Sequence, residues 1–288
     1  MPRLLTILFL ILFPPLSTAS LSVSDDLGET VTLAQPAQRI ISLAPHATEL
    51  LFAAGAGDRL VGVVKYSDFP PAAREIEQVG SYKSVDLERI VALKPDLVVA
   101  WPSGNKPAVV EQLKSLGLTV YQSQPQEIID VPRSLRQLGV LTGHSDTANA
   151  AAVQFEKEYQ RLRDAYSQKS KVTLFYQIWN RPIMTINGEH LISKVMQLCG
   201  GENVFAQLQA NAPKLDVEAV LAANPQVIVA SGMGEERPDW LEDWRKWDQL
   251  QAVKNNHLYF IPPDIIQRHS PRILQGAQQL CEALDKAR

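Results

Sequence analysis

Short apolar runs alternate with stretches of helical periodicity from Arg39 onward. Continuous apolar runs between turn residues are typical of strands that are buried on both faces of a parallel sheet. The pattern predicts strands at 39–44, 60–64, 96–101, 118–122, 171–179, 226–230 and 258–262. Helices are predicted at 48–55, 87–93, 107–116, 126–141 and 191–201, and a last one that begins at Ser270 with Pro271 in its first turn. This alternation indicates an α/β fold with mostly parallel sheets.

One segment in the middle of the chain indicates a single long helix. Its apolar residues are spaced four, three and four positions apart, which is one stripe of an α-helix: Phe155, Tyr159, Leu162 and Tyr166. Ser145 or Asp146 is expected to cap its start. A helix of about 22 residues is roughly 33 Å long, which is long enough to connect two lobes. The alternative is an ordinary surface helix of a single domain.

The predicted organisation is therefore two α/β lobes joined by one helix. We expect an N-terminal lobe at 20–143, a connecting helix at 144–169 and a C-terminal lobe at 170–288. An internal match supports this division, because residues 86–100 align without gaps on residues 216–230. The identical pairs include Asp86/Asp216, Glu88/Glu218, Pro95/Pro225 and Ala100/Ala230. We interpret the match as one helix–loop–strand unit that occurs once in each lobe, with generic α/β patterning as the alternative.

Residues 1–19 differ in character from the rest of the chain. Arg3 precedes an apolar run over 4–13, prolines interrupt it, and small residues end at Ala19. This order is typical of a secretory signal peptide, so the segment is expected to be removed on export to the periplasm. The apolar run is too short for a membrane anchor, which needs about 20 residues. No cysteine lies near the expected cleavage point, which disfavours a lipid anchor.

Charge and cysteine content narrow the possible functions. The chain has 28 Lys and Arg against 31 Asp and Glu, a net charge of −3. Proteins that track nucleic-acid phosphates carry a basic excess, so no nucleic-acid partner is expected. Cys199 and Cys281 are the only cysteines. In an oxidising compartment they are expected to form one disulfide, with two buried free thiols as the alternative.

The sequence lacks the common catalytic motifs. It has no G-x-S-x-G, H-E-x-x-H or P-loop pattern. The segments 55–60 and 232–237 lack the third glycine of a dinucleotide loop. The five histidines show no metal-ligand spacing, so neither a metal site nor a catalytic site is expected. An exported two-lobed protein of this kind is best interpreted as a binding protein, with an exported α/β hydrolase as the alternative from another class.

Residues 39–101 resemble a known family through three segments: TEL…AAG, YSDFPP and LERIVALKPDLVVAW. They are similar to the first lobe of the helical-backbone periplasmic binding proteins, which serve ABC importers for vitamin B12, haem and iron-siderophores. LCGGEN at 198–203 and SPRILQGAQQLC at 270–281 extend the resemblance into the second lobe. The resemblance covers essentially all of the chain after residue 19. It implies two α/β lobes, a connecting helix and a ligand cleft between the lobes.

Within this family the sequence is most similar to the vitamin B12-binding members, which implies cobalamin as a transported ligand and no cofactor. The resemblance matches five residues with ligand-contact positions: Tyr66, Tyr82, Trp101, Asp264 and Arg268. Ligands of open α/β sheets bind beyond the carboxyl ends of strands. Trp101 ends a predicted strand and Tyr66 follows one, and we add Trp179 because it too ends a predicted strand. Flat aromatic faces suit a corrin ring, and polar groups suit its rim. Haem or a ferric siderophore is the alternative ligand.

Other interpretations of these residues stay open. Trp179 is also consistent with a core position, and Asp264 with Arg268 is also consistent with a structural ion pair. Tyr66 and Tyr82 are also consistent with loop anchors that pack on prolines. One segment departs from the family pattern, because 209–218 carries no aromatic residue where the B12-binding members have a tryptophan. The second lobe is then expected either to hold the ligand more weakly or to contact it through another side chain: Trp179, Met184 or Trp240.

Glu88 and Glu218 hold equivalent positions in the repeat, each two residues after an aspartate at a helix start. Negative charge at a helix N-terminus is favourable by about 0.3–1 kcal/mol, which is the purely structural explanation. In a β–α unit the helix N-terminus lies on the side of the strand carboxyl ends, so both glutamates are expected on the cleft side of their lobes. The resemblance implies that they dock onto arginines of a membrane permease. The protein is expected to be a monomer.

Overall fold

The computed structural model describes residues 20–232 and 237–288, so the signal peptide expected over 1–19 lies outside the described residues. The strands of the described chain are β1 (Leu21–Ser24), β2 (Thr30–Leu33), β3 (Ile40–Ser42), β4 (Leu60–Val63), β5 (Gly80–Ser81), β6 (Ser84–Val85), β7 (Leu97–Ala100), β8 (Val120–Gln122), β9 (Val172–Gln177), β10 (Trp179–Asn180), β11 (Ile183–Met184), β12 (Gly201–Asn203), β13 (Lys214–Leu215), β14 (Val227–Ala230) and β15 (Leu258–Phe260). The helices are α1 (Pro45–Ala53), α2 (Leu87–Ala92), α3 (Pro107–Ser115), α4 (Asp130–Thr142), α5 (Ser145–Tyr166), α6 (Leu191–Leu198), α7 (Val217–Ala223), α8 (Gln251–Lys254), α9 (Pro263–Ile266) and α10 (Ile273–Asp285). Short 3₁₀ helices cover Gly57–Arg59, Pro71–Glu75 and Asp239–Lys246. Within the described ranges, none of the helices has the length and hydropathy that crossing a bilayer needs.

Two four-stranded sheets carry the fold of the described chain, and they have the same topology. The strand order is β4-β3-β7-β8 in the first sheet and β12-β9-β14-β15 in the second. Every pair of neighbouring strands in these two sheets is parallel. In each sheet the first strand of the chain lies second in space, and the third and fourth follow it. This confirms the predicted α/β class, with one parallel sheet in each lobe.

Both sheets are covered on two faces, as their continuous apolar runs predict. Neighbouring residues of a strand point to opposite faces, so Ile40 lies in a core that both lobes share, and Ile41 lies in a separate cluster of the N-terminal lobe. Leu174 and Phe175 divide in the same way in the C-terminal lobe. One continuous core therefore joins the inner faces of the two sheets through the connecting helix.

The connecting helix α5 packs on α1 and α4 of the N-terminal lobe and on α6 and α10 of the C-terminal lobe. Its predicted stripe faces the shared core, with two residues buried and two partly buried: Phe155, Leu162, Tyr159 and Tyr166. The predicted cap is wrong. The N-cap position is His144, which makes no side-chain capping hydrogen bond, and Ser145 is already helical.

The matched segments 86–100 and 216–230 form the same unit in each lobe. Asp86 caps α2 by accepting a hydrogen bond from the backbone amide three residues further on, at 2.9 Å. Asp216 caps α7 in the same way and at the same distance. The strands that follow, β7 and β14, hold the same third place in their sheets. The sequence match therefore corresponds to a repeated structural unit.

The last helix, α10, carries one confirmed prediction and one correction. Cys281 forms the predicted disulfide with Cys199, which links α10 to the end of α6 inside the C-terminal lobe. The helix begins at Ile273, however, and not at Ser270. Its N-cap position is Arg272, without a side-chain capping hydrogen bond, and the hydroxyl of Ser270 instead donates to Glu49 of the other lobe at 2.5 Å.

Candidate ligand-binding cleft

Two cavities lie side by side between the lobes. Their volumes are about 340 and 570 Å³. Trp101, Gln267 and His269 line both, so the cavities are neighbouring chambers of one cleft. The first chamber, which is the smaller, is also lined by Tyr66, Tyr82, His46, Asp68, Asp264 and Arg268. The second chamber is lined largely by uncharged polar residues and prolines, among them Ser103, Gln124, Gln126 and Asn211.

Trp101 and Tyr82 form an aromatic wall on the N-terminal side of the first chamber. Their ring centroids are 5.7 Å apart, and His46 packs edge-on against Trp101 at 5.5 Å. The buried side chain of Asn105 fixes this wall, because it accepts from the Trp101 amide at 2.7 Å and donates to the Tyr82 carbonyl at 2.8 Å. A Cβ at Gly104 would lie 1.9 Å from the Trp101 ring. Glycine at this position therefore leaves the room that the indole occupies.

Tyr66 extends this wall from the loop that follows β4. It is 64% exposed and has a φ of 67°, a left-handed conformation that is uncommon for residues other than glycine. The hydroxyls of Ser67 and the buried Thr48 of α1 are hydrogen-bonded at 3.0 Å, which holds the loop in place. Residues kept in such conformations cluster at ligand clamps. The loop therefore presents an exposed aromatic ring to the chamber.

The C-terminal side of the chamber is polar. Asp264 lies on the short helix α9, and Gln267 and Arg268 follow directly after it. The Gln267 amide donates to the backbone carbonyl of Ser231 at 2.6 Å. This hydrogen bond ties the segment to the carboxyl end of β14, so the polar groups lie where ligands of open α/β sheets bind.

Arg268 connects the two lobes through carboxylates. Its guanidinium donates to Glu49 at 2.8 Å and to Asp68 at 2.6 Å, both in the N-terminal lobe, and to Asp264 at 2.9 Å in its own lobe. Burial opposes the charge of Arg268, but the hydrogen bonds to Asp68 and Glu49 outweigh it and raise the pKa above its ordinary value. Arg268 is therefore charged and paired with three carboxylates, through three of its five N–H donors.

Glu49 is the centre of this inter-lobe network. It is 3% exposed, and Arg272 donates to its two carboxylate oxygens at 2.6 and 2.9 Å. Ser270 donates to it as well, and the Arg272 guanidinium lies 3.9 Å from the centroid of the Phe69 ring. A buried carboxylate of this kind is stable only while its charged partners remain in place. The network fastens the two lobes together beside the first chamber.

Three histidines line the cleft, of which His46 is buried and His269 and His190 are partly buried. The rings of His46 and His269 are 5.8 Å apart. Burial lowers the pKa of His46 to about 4 and that of His269 to about 3, so both are neutral at pH 7. Burial also lowers the pKa of His190, in the second chamber, to about 4. No group of three His, Cys, Asp or Glu side chains in residues 20–232 and 237–288 could hold a metal ion.

The first chamber brings together five of the six residues that the sequence indicates as ligand contacts: Tyr66, Tyr82, Trp101, Asp264 and Arg268. The ion pair between Asp264 and Arg268 exists, yet both side chains also line the chamber. The structural and the ligand-facing interpretations of this pair are therefore compatible.

Trp179 does not line either chamber of the described cleft. It lies on β10, is 37% exposed, and donates its indole N–H to the Arg181 carbonyl at 3.1 Å. It is therefore not a core residue either. Met184 pairs with it across β10 and β11. Trp240 lines a different cavity, of about 150 Å³, inside the C-terminal lobe.

Several residues of the cleft were missed by the sequence analysis. His46 follows the first strand of its sheet, so the strand-end argument used for Trp179 could have found it. Asp68 and Gln267 lie two residues and one residue from recognised contacts, and proximity was the available signal. His269 is adjacent to Arg268 and gave the same signal, although its contact with His46 of the other lobe was not predictable. Glu49 gave no such signal, because its partners lie in the other lobe.

Glu88 and Glu218 are both exposed, in the first turns of α2 and α7. Each follows the aspartate that caps its helix. The repeat therefore presents one carboxylate at the same position of each lobe.

The fold and the cleft define a two-lobed binding protein, and comparison with known proteins agrees. A family model described as "Periplasmic binding protein" matches residues 40–265. The chain belongs to this family, whose role is substrate binding rather than catalysis, so the hydrolase alternative is excluded.

Two related proteins and one solved structure, at 37–39% identity, are named for vitamin B12 binding. A vitamin B12-binding protein of Vibrio cholerae is 39% identical over 250 residues, which cover 86% of this chain and 90% of the relative. A vitamin B12-binding protein of Vibrio parahaemolyticus is 37% identical over 280 residues, which cover 96% and 97%. The crystal structure of the periplasmic vitamin B12 binding protein of Vibrio cholerae has a TM-score of 0.82 at 39% identity, and the match covers 88% of this chain and 98% of that one.

Proposed function

We propose that this protein binds vitamin B12 (cobalamin) between its lobes and delivers it to the permease of an ABC importer. The observation that carries the proposal is the lining of the first chamber. The five side chains that the resemblance matches with ligand-contact positions converge there from both lobes. Flat aromatic rings on one side and polar groups on the other fit a large ring system with amide substituents. The relatives named for vitamin B12 binding support the same ligand.

The cleft residues divide into two roles in this proposal. Tyr66, Tyr82 and Trp101 stack against the corrin, and Asp264 and Arg268 hydrogen-bond to its amide rim. Trp179 contacts the ligand from the edge of the cleft, since it is exposed and lies outside both chambers. Cobalamin is cargo and not a cofactor, so these residues bind it without making or breaking covalent bonds.

The proposal includes a cellular setting. Residues 1–19 act as a signal peptide, and the mature protein works in the periplasm as a monomer without inserting into the membrane. The lobes comprise 20–143 and 170–288, and residues 144–169 connect them. The family assignment supports this setting.

An absorbance titration of the ligand-free protein tests the ligand. We expect cyanocobalamin to bind with micromolar or tighter affinity, while haemin and a ferric siderophore bind at least about tenfold more weakly. Preferential binding of haemin or of the siderophore would replace the proposed ligand with that alternative.

Glu88 and Glu218 are proposed to dock onto arginines of the permease. Opposite charges across an interface mainly set orientation and association rate. The double variant Glu88→Ala/Glu218→Ala should keep the affinity for cyanocobalamin and reduce permease-dependent uptake into proteoliposomes. Glu202→Ala, another exposed glutamate of the C-terminal lobe, serves as the control. Normal uptake by the double variant would exclude the docking role.

A further inference from the structure

We infer that Glu49, which lines neither chamber, makes the cleft selective for ligands with amide edges over ligands with carboxylate edges. It does so by neutralising Arg268. The inference rests on the proposed function and adds to it the chemical feature that the site rejects.

The charged lining of the described cleft is mainly acidic. Asp68 and Asp264 line the first chamber and Glu189 lines the second, while Arg268 is the one Arg or Lys among the described lining residues. The histidines of the cleft add no positive charge at neutral pH, since burial keeps them neutral. Lys83 lies 5.5 Å from the centroid of the Tyr82 ring, but it lines neither chamber. An anionic ligand therefore meets one cation and three carboxylates.

The single cation is already neutralised. A guanidinium has five N–H donors, and Arg268 uses them toward Glu49, Asp68 and Asp264. Both contacts of its Nη1 atom go to the N-terminal lobe. The donors that remain can bind a neutral amide carbonyl, but a ligand carboxylate would be a fourth anion around one guanidinium. Like charges brought close together in a partly buried site repel each other strongly, so the carboxylate is disfavoured.

Glu49 provides the part of this neutralisation that a ligand cannot displace. Asp68 and Asp264 face the chamber and can rearrange when a ligand enters, because their side chains are 30% and 23% exposed. The Glu49 side chain is 2% exposed and is fixed by Arg272 and Ser270. Its charge stays beside Arg268 whether the chamber is filled or not.

The test compares two ligands that differ at one group. Cyanocobalamin is the neutral probe, and the anionic probes are its separated monocarboxylate isomers, in which one peripheral amide has been hydrolysed. The measured quantity is the ratio of their dissociation constants at pH 7 and low salt. We expect at least one isomer to bind the unaltered protein about tenfold or more weakly than cyanocobalamin. In Glu49→Gln this ratio should fall to about twofold, because the network beside the ligand then loses its excess negative charge: Arg268 and Arg272 face only Asp68 and Asp264.

Two further variants make the result specific. Asp68→Asn removes another negatively charged partner of Arg268, at a more exposed position. It should therefore lower the ratio of dissociation constants as Glu49→Gln does. It also serves as the test if Glu49→Gln does not fold. Glu202→Gln removes one negative charge from an exposed position of the C-terminal lobe that lines neither chamber, and it should leave the ratio unchanged.

The possible failures are distinct. If cyanocobalamin does not bind the unaltered protein, the proposed function fails and the inference fails with it. If cyanocobalamin binds but every monocarboxylate isomer binds equally well, the inference alone is overturned. It is also overturned if the ratio stays constant in folded Glu49→Gln or, where that variant does not fold, in Asp68→Asn, and equally if Glu202→Gln changes it as much as they do.

Discussion

Trp101 and Ser231 hold the same position in the two lobes, since each directly follows the third strand of its sheet in the repeated unit. The tryptophan stands in the cleft as a flat wall, whereas the backbone carbonyl of Ser231 accepts a hydrogen bond from Gln267 and so orders a polar segment. Identical topology therefore supports two different ways of holding a ligand. The sheet determines where the cleft lies, and the residue at the strand end determines what that side of the cleft can bind.

The largest expected effect is that of removing the disulfide, which lies within the C-terminal lobe and has no counterpart in the N-terminal lobe. The Cys199–Cys281 disulfide spans 82 positions of sequence, and closing a loop of that length stabilises the folded state by about 4 kcal/mol in the chain-entropy model. Cys199→Ala/Cys281→Ala should lower the free energy of unfolding by about that amount. Because one core joins the lobes, calorimetry should show a single transition at a lower temperature. Two separate transitions would show that the lobes unfold independently.

Acid should destabilise the protein through the contact between the lobes, to which each lobe contributes one histidine, His46 and His269. The pKa of His46 is about 4 in the folded protein, against an ordinary value of 6.5. Below pH 6.5 the unfolded chain binds a proton that the folded chain does not, so stability is full above that pH and falls as the pH approaches 4. The loss from His46 alone is about 3 kcal/mol at pH 4, and His269 adds to it. Urea unfolding between pH 7 and 4 should show a shallower decline for His46→Gln; an identical decline would rule out this contribution.

Substitutions at the equivalent strand ends test the contrast between the lobes directly. Trp101→Ala removes the central ring of the aromatic wall and should weaken cyanocobalamin binding about 30-fold, a cost of about 2 kcal/mol that is typical of a central anchor. Ser231→Ala keeps the backbone carbonyl that binds Gln267, and we expect a change of about threefold or less. Trp179→Ala should be equally mild if that residue contacts only the edge of the ligand. Titration calorimetry gives all three values, and a loss at Trp179 as large as that at Trp101 would move the ligand toward the C-terminal hairpin.

Local patterns predicted the fold well because strands buried on two faces leave long apolar runs, and because the repeat fixes equivalent elements. They also located Trp101 and Tyr66, which follow strands of the first sheet. They failed at Ser270, where the sequence is that of a helix cap but the hydroxyl binds Glu49 in the other lobe. They also missed the approach of His46 and His269, which are far apart in the chain. Contacts between lobes depend on how two complete units pack, and no local periodicity encodes that.

The smallest expected effect is the loss of a helix cap. It tests whether the equivalent caps of the two repeated units contribute equally to the free energy of unfolding. Asp86→Ala and Asp216→Ala each remove a capping hydrogen bond of 2.9 Å, which should lower the free energy of unfolding by about 1 kcal/mol in each variant. The asparagine variants at both positions retain the cap and should lose only a few tenths of a kcal/mol through the missing charge. Equal losses would mean that the repeat stabilises both lobes alike and that their difference lies in the cleft. If one alanine variant were neutral while the other lost stability, the match between the units would be one of geometry only.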